Sequence, residues 1–98
     1  MYYTYLLQCQ DGSIYTGIAA DVRKRFLQHC AGKGAKYTRS HKPDKILAVF
    51  GSADRAAASR LEYYIKHLSK KDKQAIVQRQ ELSILADKLN VKDYTAVT

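Results

Sequence analysis

The chain is short of several things at once. It has no tryptophan, one proline, one methionine and two cysteines. A single proline, Pro43, gives no material for an extended linker. Cys9 and Cys30 lie too far apart in sequence for a C-x-x-C metal or redox pair. We expect two free thiols serving as small core residues, with a disulfide between them as the alternative. Acidic residues are scarce too: nine Asp and Glu face seventeen Lys and Arg, for a net charge of +8. Only Glu62 and Glu81 are glutamates. No apolar run nears the ~20 residues that cross a bilayer. The opening Met1-Tyr2-Tyr3-Thr4-Tyr5 has neither the basic nor the apolar region of a signal peptide. A cytoplasmic location is the expectation. Familiar catalytic templates are missing as well. Gly32-Lys33-Gly34 is too short for a P-loop, and H-E-x-x-H and G-x-S-x-G do not occur.

What is present points to a polyanion. An excess of eight positive charges on 98 residues attracts phosphate backbones through counterion release. A basic surface kept for solubility is the plainer alternative. An anionic membrane is a weaker partner, because no basic helix carries a bulky apolar face. A chain this long closes one core.

Tyr2 to Cys9 and Ile14 to Ile18 read as strands joined by an Asp11-Gly12 hairpin turn. Tyr5 and Tyr15 then fall near opposite positions. Gly17 lets another group approach the backbone closely. Asp21 caps a helix over Val22–Cys30, whose buried stripe is Val22, Phe26 and Cys30. Arg25 and His29, four apart, project from one edge of it. Ala31 to Pro43 reads as a basic loop, and Ile46 to Phe50 as a third strand. Ser52 or Asp54 caps a helix to about Leu68, with Ala57, Leu61, Tyr64, Ile65 and Leu68 inward. Ser69 starts another helix to about Arg79, and Glu81 to Leu89 a last one. The tail from Asn90 either frays or adds an edge strand. The order β-β-α-β-α-α(-α) defines an α+β fold: a small antiparallel sheet of three strands against helices. Residues 1–80 are expected to form the unit that carries the candidate residues, and 81–98 a C-terminal helix and tail packed on it.

The remaining candidates are two strand tyrosines, an Arg-His pair and one helical glutamate. At these residues the sequence resembles the GIY-YIG nuclease superfamily, in its small single-domain bacterial branch. The family's Gly-Ile-Tyr falls on Tyr3-Thr4-Tyr5 and its Tyr-Ile-Gly on Tyr15-Thr16-Gly17, the tyrosines ten residues apart. Arg25 matches the arginine ten residues beyond the second tyrosine, and His29 the His or Tyr four further on. Glu62 matches the metal-binding glutamate of the later helix. Ala35-Lys36-Tyr37-Thr38-Arg39 also looks like the small branch. The resemblance spans residues 2 to 78. It departs where Tyr3 replaces glycine and Thr replaces both central residues. Tyr3 shares a side with Tyr5 and would narrow the site.

The resemblance implies a divalent-metal-dependent endonuclease acting on DNA, structured or damaged DNA included, or on RNA. Glu62 would hold one Mg²⁺ or Mn²⁺, and Arg25 would clamp the phosphate. Tyr5 or Tyr15 would orient or deprotonate the attacking water, and His29 would polarise a phenol or touch phosphate. Lys36, Tyr37, Arg39, Lys66 and Lys70, with the open backbone at Gly17, would contact the nucleic acid. Specificity would come from the shape of the DNA or RNA, or from a protein partner. Each assignment has an ordinary counterpart, such as a Glu62–Lys66 surface pair or tyrosines that only pack. As whole-protein alternatives stand a nucleic-acid-binding module without turnover and a protein-interaction adaptor.

Overall fold

The computed structural model describes residues 1–97. Strands β1 (Tyr2–Cys9) and β2 (Ile14–Ala19) form the hairpin that their branched and aromatic residues favour. Gly12 takes φ +85°, a region other residues avoid. The Asp11 carboxylate accepts from the Ser13 N–H at 3.0 Å and the Ser13 hydroxyl at 2.6 Å, which stiffens the turn. The register sets Tyr5 opposite Gly17 and Leu7 opposite Tyr15. The two tyrosines are thus diagonal neighbours on one face, rather than opposite each other. The cause lies in the loop. The Cys9 N–H donates to Ser13 O at 2.8 Å, so the loop closes on itself and Gln8 pairs with Ile14.

Helix α1 (Val22–Cys30) begins at Asp21, whose carboxylate accepts the Lys24 N–H at 3.0 Å. Val22 and Phe26 pack on the sheet as expected. Cys30 does not: it is exposed, and His29 is the buried residue, 1% accessible. Helical pitch explains the correction. At ~100° per residue, Cys30 has rotated ~80° away from Val22, while His29 returns to within ~20° of it. Cys9 is buried as expected, and both thiols are free.

The stretch read as a loop contains a short helix, α2 (Lys36–Ser40). Five residues are too few to show a hydrophobic period, so the sequence gives no sign of it. Strand β3 (Pro43–Ser52) is longer than its apolar centre suggested. Its early residues Asp44 and Lys45 are exposed, and bulges adjust its pairing with β1. Helix α3 (Arg55–Lys66) is capped by Asp54, and α4 (Lys70–Arg79) by Ser69.

The Glu81–Leu89 helix does not form. A 3₁₀ turn at Ser83–Leu85 stands in its place, and another follows at Val91–Asp93. Leu82 and Leu85 are both buried, and their three-residue spacing is compatible with a 3₁₀ turn, where side chains at i and i+3 eclipse. Glu81 also bonds the Ser83 N–H and hydroxyl at 3.2 and 2.8 Å, which favours a turn. The tail adds a short edge strand, β4 (Thr95–Ala96), so the sheet has four strands in the order β2-β1-β3-β4. Each neighbouring pair is antiparallel.

The sheet carries apolar residues on both faces. Leu6, Ala48 and Phe50 meet Leu61 and Ile65 of α3, Ile76 of α4, and Leu82, Leu85 and Tyr94 of the C-terminal segment. Tyr5, Leu7 and Ala19 meet Val22 and Phe26 of α1 on the other face. Thr4 donates to the Ala58 carbonyl at 2.9 Å and fixes α3 to the sheet. Tyr94 donates to Ala57 O at 2.7 Å and ties residues 81–97 to the same helix. Helices from both faces meet at the β2 border, and the candidate residues gather there.

Candidate active site

Gly17 is where the site begins. A Cβ placed on it would stand 2.6 Å from the Tyr5 hydroxyl and 3.0 Å from the Tyr15 ring. The bare backbone is the floor on which both phenols rest. The group that approaches Gly17 is therefore Tyr5 itself, rather than an incoming ligand. The two rings lie 6.4 Å apart between centroids.

His29 rises between them from α1, 6.1 Å from the Tyr5 ring and 5.3 Å from that of Tyr15. Gly34 makes room for it, since a Cβ there would collide with the imidazole. The ring's tautomer follows from the hydrogen bonds. Thr38 has one hydroxyl proton, which it donates to Ala35 O at 3.0 Å. It must therefore accept from His29 Nδ1–H, at 2.6 Å. Nε2 is left as an acceptor, and the Tyr5 hydroxyl donates to it at 2.9 Å. The result is one directed chain: Tyr5 O–H to His29, His29 to Thr38, Thr38 to the α2 backbone. Tyr5, His29 and Thr38 are each 1% accessible.

Burial and neighbouring charges hold this chain neutral. Burial, reinforced by Tyr15, pushes the Tyr5 phenol up to about 12, against the lowering pull of Arg25. Burial also raises Tyr15, with the Glu62 charge adding to it and Arg25 opposing. His29 is shifted down, first by burial and then by the Arg25 charge. At neutral pH both phenols keep their protons and the imidazole is uncharged.

Arg25 stands one turn before His29 on α1. It is half-buried beside Tyr5 and donates to Gln28 Oε1 at 3.1 Å. Glu62 comes from α3, on the opposite face of the sheet, and reaches round the β2 border. Its charge acts on both phenols. Lys66 Nζ lies 3.3 Å from Glu62 Oε2 and 5.9 Å from the centre of the Tyr15 ring. The plain i,i+4 pair exists, and it exists at the edge of the phenol cluster.

The other predicted residues divide. Tyr37 is stacked between Tyr15, at 5.8 Å and 21°, and His41, at 4.0 Å and 7°. Lys66 and Lys70 follow the β2 border, and the Lys70 ammonium lies 4.0 Å from the position of a Gly12 Cβ. Lys36 and Arg39 are exposed on α2. Tyr3 does not narrow the site. It lines a separate hollow of about 650 Å³ with Val22, Arg23 and Val49. Sequence reasoning missed Gly34 and Thr38, which hold His29, although Thr38 lay within a segment already singled out. It also missed Thr16. Its hydroxyl is the one fully buried side-chain polar atom without a hydrogen-bond partner among the described residues.

An antiparallel hairpin with two phenols over a glycine, an arginine-histidine helix on one face and a glutamate helix on the other defines an α+β domain of the GIY-YIG kind. The family model described as the GIY-YIG catalytic domain matches residues 1–75. A UPF0213 protein of Fusobacterium nucleatum is 48% identical over 91 residues, covering 93% of this chain and 90% of its own. A UPF0213 protein of Cupriavidus pinatubonensis is 48% identical over 80 residues, 82% of this chain and 89% of its own. The solution NMR structure of a UPF0213 protein from Bacillus halodurans superposes with TM-score 0.53 at 39% identity, covering 90% of this chain and 95% of that one. The chain belongs to the GIY-YIG family, among its small single-domain bacterial proteins.

Proposed function

We propose that this protein is a divalent-metal-dependent endonuclease that hydrolyses phosphodiester bonds in nucleic acid, DNA ahead of RNA. The supporting observation is the convergence of Tyr5, Tyr15, Arg25, His29 and Glu62 at one border of a chain with net charge +8. Hydrolysis needs an oriented water, neutralised phosphoryl oxygens and a stabilised leaving oxygen.

Glu62 is the residue to hold the ion. Among the described residues no group of three or more His, Cys, Asp or Glu could cage a metal. The available donors are hard oxygens: one carboxylate and two phenols. That set suits Mg²⁺ or Mn²⁺, which keep several waters and use substrate oxygens as ligands. When bound, the ion supplies Lewis-acid stabilisation of charge on the phosphate and leaving oxygen.

The chain's own residues do the rest. Arg25 offers a fixed fork of donors to the scissile phosphate. The neutral His29 Nε2 fixes the Tyr5 hydroxyl and is positioned to take its proton. Tyr15 is less buried than Tyr5 and has no side-chain hydrogen bond among those described, so its oxygen is free to orient a water. Lys66 and Lys70, with the exposed Lys36 and Arg39, draw in the backbone.

A reading as a nucleic-acid-binding module without turnover has one observation in its favour. The Tyr5 proton is held to about pH 12, far from a working base. Branched, flapped and single-stranded substrates with Mg²⁺ or Mn²⁺ decide between the two. The endonuclease cuts at least one of them, and Glu62→Ala and Arg25→Ala abolish the cut. Salt-sensitive binding without cleavage favours the module. Cleavage that survives either substitution removes the endonuclease assignment.

A further inference from the structure

Two hollows lie along the β2 border, and one of them takes in Tyr15. One, of about 400 Å³, includes Arg25, Lys24 and Ile18. The other, of about 370 Å³, is lined by Ile14, Tyr15, Thr16, Tyr37, Lys66 and Lys73. The first shares only Arg25 with the proposed reaction site and also carries the Asp21 carboxylate, which opposes an anion. The second includes Tyr15 and Lys66 of that site and extends beyond them to Thr16 and Lys73.

Lys73 is half-buried there and forms no ion pair among the described residues. Lys66 reaches the same hollow from α3, tied to Glu62 on one side only. Thr16 lies on the floor, 2% accessible, with the unpartnered hydroxyl already described. Two ammonium groups and an unsatisfied hydroxyl around a concavity favour an anion with several acceptor oxygens. Tyr37 closes the outer side and is held in place by stacking on Tyr15 and His41.

Position selects the kind of anion. Tyr15 lines the hollow itself, and Thr16 is flanked on β2 by Tyr15 and Gly17, so the hollow directly adjoins the phenol cluster. An anion held there lies beside whatever the phenols hold. Lys70, one turn before Lys73 on α4, continues the positive line towards Gly12.

We propose that the Lys66–Lys73–Thr16 hollow is a second phosphate subsite. It takes the phosphate next to the scissile one and so fixes the register in which a strand lies across the phenols. The inference rests on the endonuclease reading for the word scissile, and on the hollow alone for phosphate binding.

The test measures binding without turnover. ¹⁵N,¹³C-labelled protein without added metal is titrated with the dinucleotide TpT, with pTpT and TpTp, and with the trinucleotide TpTpT. A second phosphate should tighten binding at least fivefold over TpT, with resonance shifts at Thr16 and Lys73. A gain with TpTpT identifies an internal diester as the ligand. A gain only with pTpT or TpTp identifies a strand-end monoester. Lys73→Met should erase the gain while leaving TpT affinity within about twofold. Lys88→Met, which removes an exposed charge on the C-terminal segment, should leave the gain intact.

Equal affinity for all four probes overturns the proposal. So does a gain that Lys88→Met reduces as much as Lys73→Met does. Loss of cleavage on every substrate, with the gain retained, removes the endonuclease reading and spares the subsite.

Discussion

Gly17 lies directly beneath the Tyr5 hydroxyl, and the 2.6 Å that a Cβ would leave between them is less than two atoms can share. Tyr5 is buried and cannot swing out without opening the core. Gly17→Ala should therefore displace the phenol, break its bond to His29 and destabilise the fold by ~1–3 kcal/mol, as overpacking does. For a domain of this size that is a fall of at least ~4 °C in melting temperature. Thermal unfolding of the variant checks it, and an unchanged Tm would show that the phenol has another place to go.

The Tyr5 proton should be the last of the tyrosine protons to leave. Absorbance at 295 nm, followed as pH rises, should show a late step near pH 12 that Tyr5→Phe removes. The sign for stability follows from linkage. The folded-state value lies above the unfolded ~10. This contribution is thus complete below pH ~10 and declines as pH rises towards 12. Alkaline denaturation should be shallower in Tyr5→Phe over that window.

His29 should act in the acid range with the opposite slope. Its folded value is below the unfolded ~6.5. The unfolded chain then binds the proton first, so stability is full above pH ~6.5 and falls as pH drops below it. Arg25, Tyr5, Tyr15 and Thr38 face the ring, and none is an acid that would welcome the charge. Melting temperatures at pH 7.5 and pH 5, at constant ionic strength, should differ more in the wild type than in His29→Gln.

The site was legible in unequal parts. Tyr5, Tyr15, Arg25 and His29 could be placed because each sits on a regular element whose period fixes its direction, but their roles were readable only through family resemblance. The same holds for Glu62, since a helical glutamate four residues before a lysine is ordinarily a surface pair. His29 as a buried residue, with Cys30 exposed, depended on the drift of a 3.6-residue helix, which a four-residue count hides. Gly34 and Thr38 acquire their roles through contacts between α1 and α2, and no local pattern announces those. The Glu81–Leu89 segment gave way to a 3₁₀ turn, and the local bonds from Glu81 to the Ser83 N–H and hydroxyl favour that turn over propensity.

The two motif threonines should respond in opposite directions. Thr4 bonds the Ala58 carbonyl, while Thr16 has no partner. Thr4→Val should cost about 1 kcal/mol. Thr16→Val removes a buried orphan hydroxyl and should leave stability unchanged or raise it by ~1 kcal/mol. Urea denaturation of both variants checks the contrast, and a loss of equal size in the two would contradict it.

On the proposed assignment, Lys66 and a divalent ion would compete for the Glu62 carboxylate. An exposed i,i+4 pair is worth ~0.3–0.5 kcal/mol, about a factor of two in affinity. Lys66→Met should therefore lower the apparent dissociation constant for Mn²⁺ about twofold or slightly more. Paramagnetic broadening of the Glu62 resonances measures it. Glu62→Gln should abolish the broadening altogether.

β2 is the outermost strand of the sheet, and its free border runs past the reactive cluster from Lys24 to Lys70. A polymer can be laid against an open edge of this kind broadside. For the proposed endonuclease no terminus has to be threaded, so bonds within a long or circular molecule would be within reach.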